Sequence, residues 1–145
     1  MILPVFRAGE TYAIDRDIGE AAAIAFWLGD DRATFVAHDA DDTPLGSYYL
    51  RANQAGGGRH VANAGYVVAD AARGRGVARA MAAHSFDEAR ARGFAAMQFN
   101  FVVASNTRAV ALWQALGFAI VGRVPGAFRH PALGAVDALV MHRLL

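Results

Sequence analysis

The sequence has 145 residues, a length that fits a single domain spanning 1–145 with one substantial core. A hydrophobic content of 55% predicts a globular protein, and the absence of cysteine excludes disulfides, thiolate zinc sites and a cysteine nucleophile. The net charge of +1, with arginines spread along the chain, does not favour nucleic-acid binding. Because we find neither a membrane-length apolar run nor a signal peptide, we expect a cytoplasmic protein with no membrane partner.

The first half of the chain predicts a helix followed by a β-hairpin. Pro4 argues against a helix through the first dozen residues. Asp17-Ile-Gly-Glu20 has the form of a capping box, with Asp17 as N-cap of a helix that ends near Gly29. Two strands joined by a polar turn are predicted next, at Thr34–His38 and Leu45–Arg51.

The second half predicts strands alternating with helices. A glycine-rich mobile loop is expected at 52–59, because three consecutive glycines disfavour regular structure. The predicted elements that follow are a strand at Ala62–Val68, a helix from Gly76 to Gly93, a strand at Ala95–Val103, a helix from Asn106 to Gly117, and strands at Ala119–Val124 and Ala138–Leu144. This order describes an α/β fold, in which helices pack on a mixed sheet.

The segment Ala69–Ala78, here called the anion loop, lies between a predicted strand and a predicted helix. The first N–H groups of a helix have no internal partner, and a phosphate can bind them. Gly74 and Gly76 allow a ligand to approach the backbone closely, and Arg73 and Arg75 add positive charge. The spacing matches neither a Walker loop nor a dinucleotide fingerprint, so the loop is either a phosphate site of another kind or an ordinary tight turn.

The R-x-x-G-x-A pattern of this loop resembles the coenzyme A pyrophosphate loop of the GCN5-related N-acetyltransferase (GNAT) family. Asn106–Phe118, an N-x-x-A helix ending in L-G-F, is similar to that family's second signature and begins 30 residues after Gly76. The resemblance implies a mixed, mostly antiparallel sheet and acetyl-CoA as cosubstrate, with no metal. The coenzyme-binding residues it implies are Val68, Ala69, Asp70, Arg73, Gly74, Arg75, Gly76, Val77, Ala78, Asn106 and Trp113.

A narrower resemblance lies in Asn63-Ala-Gly-Tyr66 and Phe99-Asn100-Phe101. These segments look like the pocket of the yeast members of the family that acetylate azetidine-2-carboxylate and proline analogues. The resemblance implies that Asn63 and Asn100 orient the acceptor amine and carboxylate and that Tyr66 lines the pocket. Separately, His130 in the last hairpin is either a further substrate contact or a solvated loop residue. Independently, asparagine is disfavoured in strands, so each amide is either a ligand contact or a partner for a neighbouring loop.

The implied reaction is acetyl transfer to an amine, for which we consider three chemical roles. In this family a strand N–H stabilises the oxyanion, and Val68 is the residue at that place. Residues 61–69 contain no Asp or Glu, so water held by Asn63 and Asn100 is the first candidate for proton removal and His60 the second. Trp113 stands where the family often has a tyrosine acid, and indole cannot donate a proton at neutral pH.

One departure from the family concerns the beginning of the chain. Residues 1–13 are too few for the usual first strand and long helix, so either the chain starts late or that strand is missing, and a missing strand would leave Thr34–His38 as an exposed edge that a homodimer would cover. Tyr12 and Asp15 are further candidates for a substrate lid.

The alternative to a small-molecule N-acetyltransferase is a coenzyme A sensor or degenerate paralogue, and protein amino groups are a second class of acceptor.

Overall fold

A computed structural model describes residues 1–145 as one six-stranded sheet with helices on both faces. The strand order is β1-β2-β3-β4-β6-β5, and all neighbours are antiparallel except β3 and β4. The strands are β1 (Arg32–His38), β2 (Pro44–Ala52), β3 (Val61–Val68), β4 (Ala96–Val103), β5 (Ala119–His130) and β6 (Gly134–Leu144). The helices are α1 (Ile2–Ala8), α2 (Glu20–Trp27), α3 (Val77–Ala91) and α4 (Thr107–Ala115). The predicted α/β class and mostly antiparallel sheet are confirmed.

The predicted hairpin is formed by β1 and β2, in a register that places Phe35 opposite Tyr48. No strand precedes β1 in this chain, which leaves β1 at one edge of the sheet as expected. The glycine-rich segment after β2 is more regular than predicted, because Gly56–Gly58 forms a single 3₁₀ turn. A short turn of this kind needs only local i to i+3 hydrogen bonds, which glycine can make.

The N-terminal helices depart from the sequence predictions in two places. Helix α1 includes Pro4, because proline is tolerated in a first turn, whose N–H groups lack helical partners in any case. Helix α2 has Gly19, not Asp17, as its N-cap and no side-chain capping bond, so the predicted capping box is wrong. Both helices pack on the face of β2 and β3 that carries Tyr49 and Val67.

Helix α3 covers the opposite face of the sheet. Its buried positions include Val77, Met81, Ser85 and Ala89, which recur every four residues as expected for an amphipathic helix. Together with α4 and the strands, α3 encloses the larger core, in which Met97 and other side chains are fully buried. None of the four helices is long and apolar enough to cross a membrane.

The central strands β3 and β4 separate soon after they begin. They pair in parallel only at Val61 with Ala96 and at Ala62 with Met97. Beyond this point, β4 follows β6 and carries a bulge between Phe99 and Val102. The remaining lengths of β3 and β4 therefore form the two sides of a gap in the sheet.

The last two strands are much longer than predicted. The segment 125–137, expected to be a connection, is mostly strand, and only 131–133 forms the turn between β5 and β6. Pro125 is accommodated because β5 is an edge strand with an irregular register between Val124 and Phe128.

Candidate active site

A cavity of about 330 Å³ opens at the gap between β3 and β4. Its wall combines the segment before α2, one residue of α2, the middle of β3, the C-terminal halves of β2 and β4, and the first turns of α4. The lining residues are Thr11, Tyr12, Ala13, Ile14, Phe26, Tyr49, Arg51, Asn63, Ala64, Gly65, Tyr66, Phe99, Asn100, Phe101, Val102, Val103, Asn106, Ala109 and Trp113. The structure thus brings together Asn63, Tyr66, Asn100, Asn106 and Trp113 from the predicted site, and with them Tyr12, one of the two lid candidates.

The anion loop follows β3 directly and ends at the N-terminus of α3. Gly74 and Gly76 have positive φ values of 76° and 80°, and no atom lies within 4 Å of a Cβ built at either position. The N–H groups of Gly74, Gly76 and 77–79 make no backbone hydrogen bond. The loop therefore exposes several backbone N–H groups that have no partner, on glycines that adopt positive φ without strain. Such donors fit an anionic ligand such as a diphosphate.

One of the two arginines of the anion loop forms an ion pair within the loop. Arg73 forms an exposed ion pair of 2.7 Å with Asp70, whereas Arg75 has no salt-bridge partner. An exposed pair of this kind contributes little to stability, at most about 1 kcal/mol, so Arg73 can exchange Asp70 for a phosphate at low cost. The side chain of Val77 is buried at the start of α3 and holds the loop against the core.

Along β3, successive residues direct their backbone N–H and C=O groups toward opposite neighbouring strands. The N–H of Ala69 donates to Leu45 and the N–H of Asn53 donates to Val61, so the odd-numbered positions of β3 pair with β2. The even-numbered positions, among them Val68, consequently direct their N–H groups toward the gap. Val68 is thus placed to donate a hydrogen bond into the space where the strands separate.

Asn63 bridges the two separating strands. Its side-chain Nδ2 donates a hydrogen bond of 2.9 Å to the backbone oxygen of Gln98 on β4. The residue is buried, and its Oδ1 accepts no hydrogen bond within the protein. Asn63 therefore has both a structural partner and one acceptor left for a ligand in the cavity.

Asn100 lies on β4 and is exposed, unlike Asn63. Its Oδ1 accepts from Gln98 Nε2 at 2.9 Å, and its Nδ2 donates to Asn53 Oδ1 at 2.6 Å. The residue that follows β2 is thereby joined to β4 across the mouth of the cavity. Both functional groups of Asn100 have protein partners that a ligand or water can replace.

Two tyrosine hydroxyls in the cavity wall are engaged with the protein. Tyr12 donates a hydrogen bond of 3.0 Å to the backbone oxygen of Tyr66, and the Tyr66 hydroxyl lies 2.6 Å from Ser85 Oγ on α3. Burial raises the pKa of Tyr12 and of Tyr66 well above the usual value for tyrosine. Both side chains remain neutral near pH 7, and the Tyr66 ring faces Trp113 at a centroid distance of 5.0 Å.

The helix α4 contributes one polar and one aromatic side chain to the cavity. Asn106 is its N-cap, and Oδ1 accepts a hydrogen bond of 3.3 Å from the N–H of Ala109. The amide Nδ2 of Asn106 makes no hydrogen bond within the protein. Trp113 is buried against Phe99, with ring centroids 4.8 Å apart, so it packs in the core and lines the cavity at once.

Val68 and the anion loop lie beyond the cavity lining, and two histidines and an aspartate considered from the sequence also lie outside it. His130 ends β5, where its Nδ1 accepts hydrogen bonds from Ala132 and Leu133 and stabilises the turn. His60 is exposed immediately before β3, and Asp15 is exposed before α2. The cavity wall accordingly contains no histidine, aspartate or glutamate side chain.

Two cavity residues on β2 were not identified from the sequence. Arg51 lies opposite Asn63 in the strand register, and Tyr49 lies opposite Gly65. The Tyr49 ring covers Gly65 so closely that a Cβ there would lie 2.6 Å from Tyr49 Cε1. The signal available in advance was the hairpin register, since residues on one face of adjacent strands are neighbours.

The chain belongs to the acetyltransferase (GNAT) family, whose model matches residues 6–118. The protein is accordingly an acetyl-CoA-dependent N-acetyltransferase. It is 28% identical over 148 residues to the N-acetyltransferase aca1 of Schizosaccharomyces pombe, covering 91% of this chain and 71% of that protein.

Solved structures agree with the family assignment. A GCN5-related N-acetyltransferase from Kribbella flavida is 51% identical, with a TM-score of 0.92 over 99% of this chain and 90% of that one. Spermidine N-acetyltransferase from Vibrio cholerae, solved with CoA and spermine, is 17% identical, with a TM-score of 0.82 over 99% of this chain and 85% of that one. The second likeness shows the shared fold alone.

Proposed function

We propose that this enzyme transfers the acetyl group of acetyl-CoA to the amine of a small molecule, an amino acid or a proline-like imino acid, by direct attack within a ternary complex. The observation that supports the proposal is the position of β3. This strand borders the cavity through Asn63 and Tyr66 and continues directly into the anion loop. Two substrates can therefore be held on the same strand at the same time.

The proposed coenzyme site extends from the anion loop to α4. The free N–H groups of the loop, with Arg73 and Arg75, would hold the diphosphate. The unpartnered Nδ2 of Asn106 and the ring of Trp113 would border the pantetheine arm where it enters the cavity. The remaining contacts of this proposed site are Val68, Ala69, Asp70, Gly74, Gly76, Val77 and Ala78. When bound, acetyl-CoA supplies an acetyl thioester as the acyl donor.

The proposed catalytic groups are Val68, Asn63 and Asn100. The N–H of Val68 would stabilise negative charge on the thioester oxygen as the amine nitrogen bonds to the carbonyl carbon and the carbon–sulfur bond breaks. Water held by Asn63 and Asn100 would accept the amine proton, because the cavity wall has no acidic or histidine side chain. The leaving sulfur would take its proton from water, since indole cannot act as an acid at this pH.

The acceptor class is proposed from what the cavity offers. Amides and aromatic rings dominate its polar and apolar wall, and no carboxylate is present to bind a polyamine or an aminoglycoside. Asn63 Oδ1 is available to accept a hydrogen bond from an amine. A compact amine therefore fits this wall better than a polycation.

The first test is binding followed by turnover. Coenzyme A and acetyl-CoA should each raise the melting temperature, and acetyl-CoA should then release thiol with proline, azetidine-2-carboxylate or another amino acid. Failure of both coenzymes to stabilise the protein would refute the proposed coenzyme site. Stabilisation without turnover of any amine, including spermidine and a peptide amino terminus, would favour a coenzyme sensor.

We further propose that the enzyme acts in the cytoplasm as a homodimer. The outer edge of β1 has no partner strand in the sheet, and Val36 on this strand is 49% exposed. Pairing between copies along β1 would satisfy the free backbone groups of that edge. Light scattering should give twice the chain mass, and Val36→Lys should shift the mass toward one chain; a single-chain mass for the unaltered protein would refute the dimer.

A further inference from the structure

The cavity wall contains a single charged side chain. Of the residues that line it, only Arg51 carries a formal charge at neutral pH, and no acidic side chain faces it within the cavity. In a confined and partly apolar site, a positive charge with no carboxylate on the cavity side attracts an anionic group more strongly than it would in water. The electrostatics of the wall therefore select among possible acceptors.

The position of Arg51 places this charge beside the proposed amine site. Arg51 lies on β2 directly opposite Asn63 on β3, so the two side chains are cross-strand neighbours on one face of the sheet. The side chain of Arg51 is one-third exposed, whereas its Nε is buried without a hydrogen-bond partner. A buried N–H of this kind is costly unless it finds an acceptor.

The protein provides only one acceptor for Arg51. Its Nη1 donates a hydrogen bond of 2.9 Å to Asp31 Oδ2, while the other oxygen of Asp31 accepts from Arg32 Nε at 2.7 Å. Arg32 also lies over the Tyr49 ring at 4.7 Å and has a buried Nη1 without a partner. One carboxylate is thus shared by two guanidinium groups and cannot neutralise both.

Other charges lie on a neighbouring surface groove and not in the cavity. Asp30 and Arg92 border that groove together with Arg51, and Arg92 is paired with Glu88 at 3.3 Å. These groups do not supply a second carboxylate to the cavity side of Arg51. The positive charge at the cavity wall remains available for a ligand.

We propose that Arg51 binds a carboxylate of the acceptor and is the residue that makes the enzyme selective for amines carrying an acidic group. This inference rests on the proposed acetyl transfer and refines its acceptor. The carboxylate would accept from Nη2 of Arg51, which makes no hydrogen bond in the protein and, unlike Nε, is not buried, while Asn63 Oδ1 accepts from the neighbouring amine. An α-amino or imino acid presents these two groups side by side, and a polyamine does not.

The test compares matched acceptors in the unaltered enzyme and in Arg51→Gln. Proline is compared with prolinamide, and azetidine-2-carboxylate with azetidine, by thiol release with saturating acetyl-CoA. We expect the unaltered enzyme to favour the acid over its uncharged analogue at least tenfold in kcat/KM. Arg51→Gln should lower kcat/KM for the acid at least tenfold, mainly through KM, and change that for the uncharged analogue less than twofold.

Two further variants separate charge recognition from loss of structure. Asp31→Asn removes the shared carboxylate but keeps Arg51, so the preference for the acid should persist. Arg123→Gln breaks a comparable exposed ion pair of 2.7 Å with Asp137 away from the cavity and should leave all rates unchanged. Coenzyme-induced stabilisation should be equal in every variant, which shows that the donor site is intact.

The outcomes distinguish this inference from the proposed function. Turnover of amines with no preference for the acid, or an equal effect of Arg51→Gln on acid and amide, would refute the role of Arg51 and leave the transfer reaction standing. Coenzyme binding with no turnover of any amine would refute the proposed acceptor class, and this inference with it.

Discussion

The side chain of Asn63 joins β3 to the backbone oxygen of Gln98 on β4 at 2.9 Å, immediately after the last residues at which the two strands pair. A side-chain amide thus continues the pairing for one step where the backbones have separated. The hydrogen bond sets the position at which the gap in the sheet begins. Asn63 is consequently both a bridge between strands and a wall of the cavity.

Removing the amide of Asn63 should reduce stability and activity together. Asn63→Ala leaves the Gln98 carbonyl without its donor, at a cost of about 1–3 kcal/mol. Asn63→Asp should cost more, because a carboxylate oxygen would face a carbonyl oxygen. Urea unfolding measures both variants, with Gln114→Ala on the exposed side of α4 as control; equal stability of Asn63→Ala and the unaltered protein would show that the bridge is dispensable.

Replacing Gly76 with aspartate should abolish coenzyme binding. The position has φ of 80° and lies where free N–H groups gather, so the substitution adds strain and a negative charge beside the proposed diphosphate site. Gly93→Asp is the matched control, since Gly93 has φ of 81°, equally open surroundings, and a place at the other end of α3. Calorimetry should show at least tenfold weaker coenzyme A binding for Gly76→Asp only; similar loss in both variants would indicate a general folding defect.

Gly65→Ala should alter acceptor binding and not coenzyme binding. The added Cβ would lie 2.6 Å from Tyr49 Cε1 and 2.9 Å from its hydroxyl, so the Tyr49 ring must move within the cavity wall. We expect the acceptor KM to rise severalfold with unchanged coenzyme affinity. Gly57→Ala, at a position with no atom near its Cβ, serves as control, and an unchanged acceptor KM in Gly65→Ala would argue against this part of the wall.

Asn100→Ala should lower turnover while leaving coenzyme affinity intact. Its amide is linked to Gln98 and Asn53 at the mouth of the cavity and lies apart from the anion loop. The loss of a group that holds water or substrate should reduce kcat about tenfold, within the range expected for proton-transfer assistance. Steady-state kinetics together with coenzyme titration give the answer, and an equal loss of coenzyme affinity would contradict the assigned role.

The pH dependence of activity should follow the acceptor amine. Burial raises the pKa of Tyr12 and Tyr66, so both stay protonated, and the cavity wall has no group that titrates between roughly pH 6 and 9. For each acceptor, kcat/KM should rise with pH and level off at the pKa of its amine. Two acceptors whose amines differ in pKa should give profiles displaced by that difference, whereas a common inflection near pH 6.5 would implicate a histidine.

The same two tyrosines predict a loss of stability at high pH. A folded-state pKa above the unfolded value means that the neutral hydroxyl stabilises the fold, fully so below about pH 10 and less as pH rises toward the folded-state pKa. Tyr66→Phe should therefore weaken the decline in melting temperature above pH 10. An identical alkaline decline in this variant would assign the effect to other groups.

Local signals in the sequence were sufficient to predict the hairpin, the position of the anion loop between a strand and a helix, and α4. The period of α3 and the N-cap at Asn106 arise from interactions within a few residues, which a sequence displays directly. Pro4 and Pro125 both lie inside regular elements, in α1 and β5. The helix at Pro4 was not predicted because proline disfavours a helix interior, but a first helical turn tolerates it, as an edge strand does.

The cavity was only partly predictable because it depends on pairing between distant segments. Asn63 and Asn100 were singled out by residue type, but their different burial follows from the separation of β3 and β4. Arg51 enters the wall through its register opposite Asn63, and Tyr12 through packing of the segment before α2. The local hydrophobic periodicity of the sequence predicts neither of these two placements.

The hydrogen bond from Tyr12 to the backbone oxygen of Tyr66 affects which ligand atoms the unpaired side of β3 can bind. Along a strand, the carbonyl of one residue and the N–H two residues later face the same side, so the Tyr66 oxygen and the Val68 N–H are adjacent in the gap. Tyr12 already occupies that oxygen, which reduces its repulsion of an electron-rich atom nearby. This stretch of backbone consequently favours an incoming carbonyl oxygen over a hydrogen-bond donor. Tyr12 contributes to that preference although it lies 54 residues before Tyr66 in the sequence.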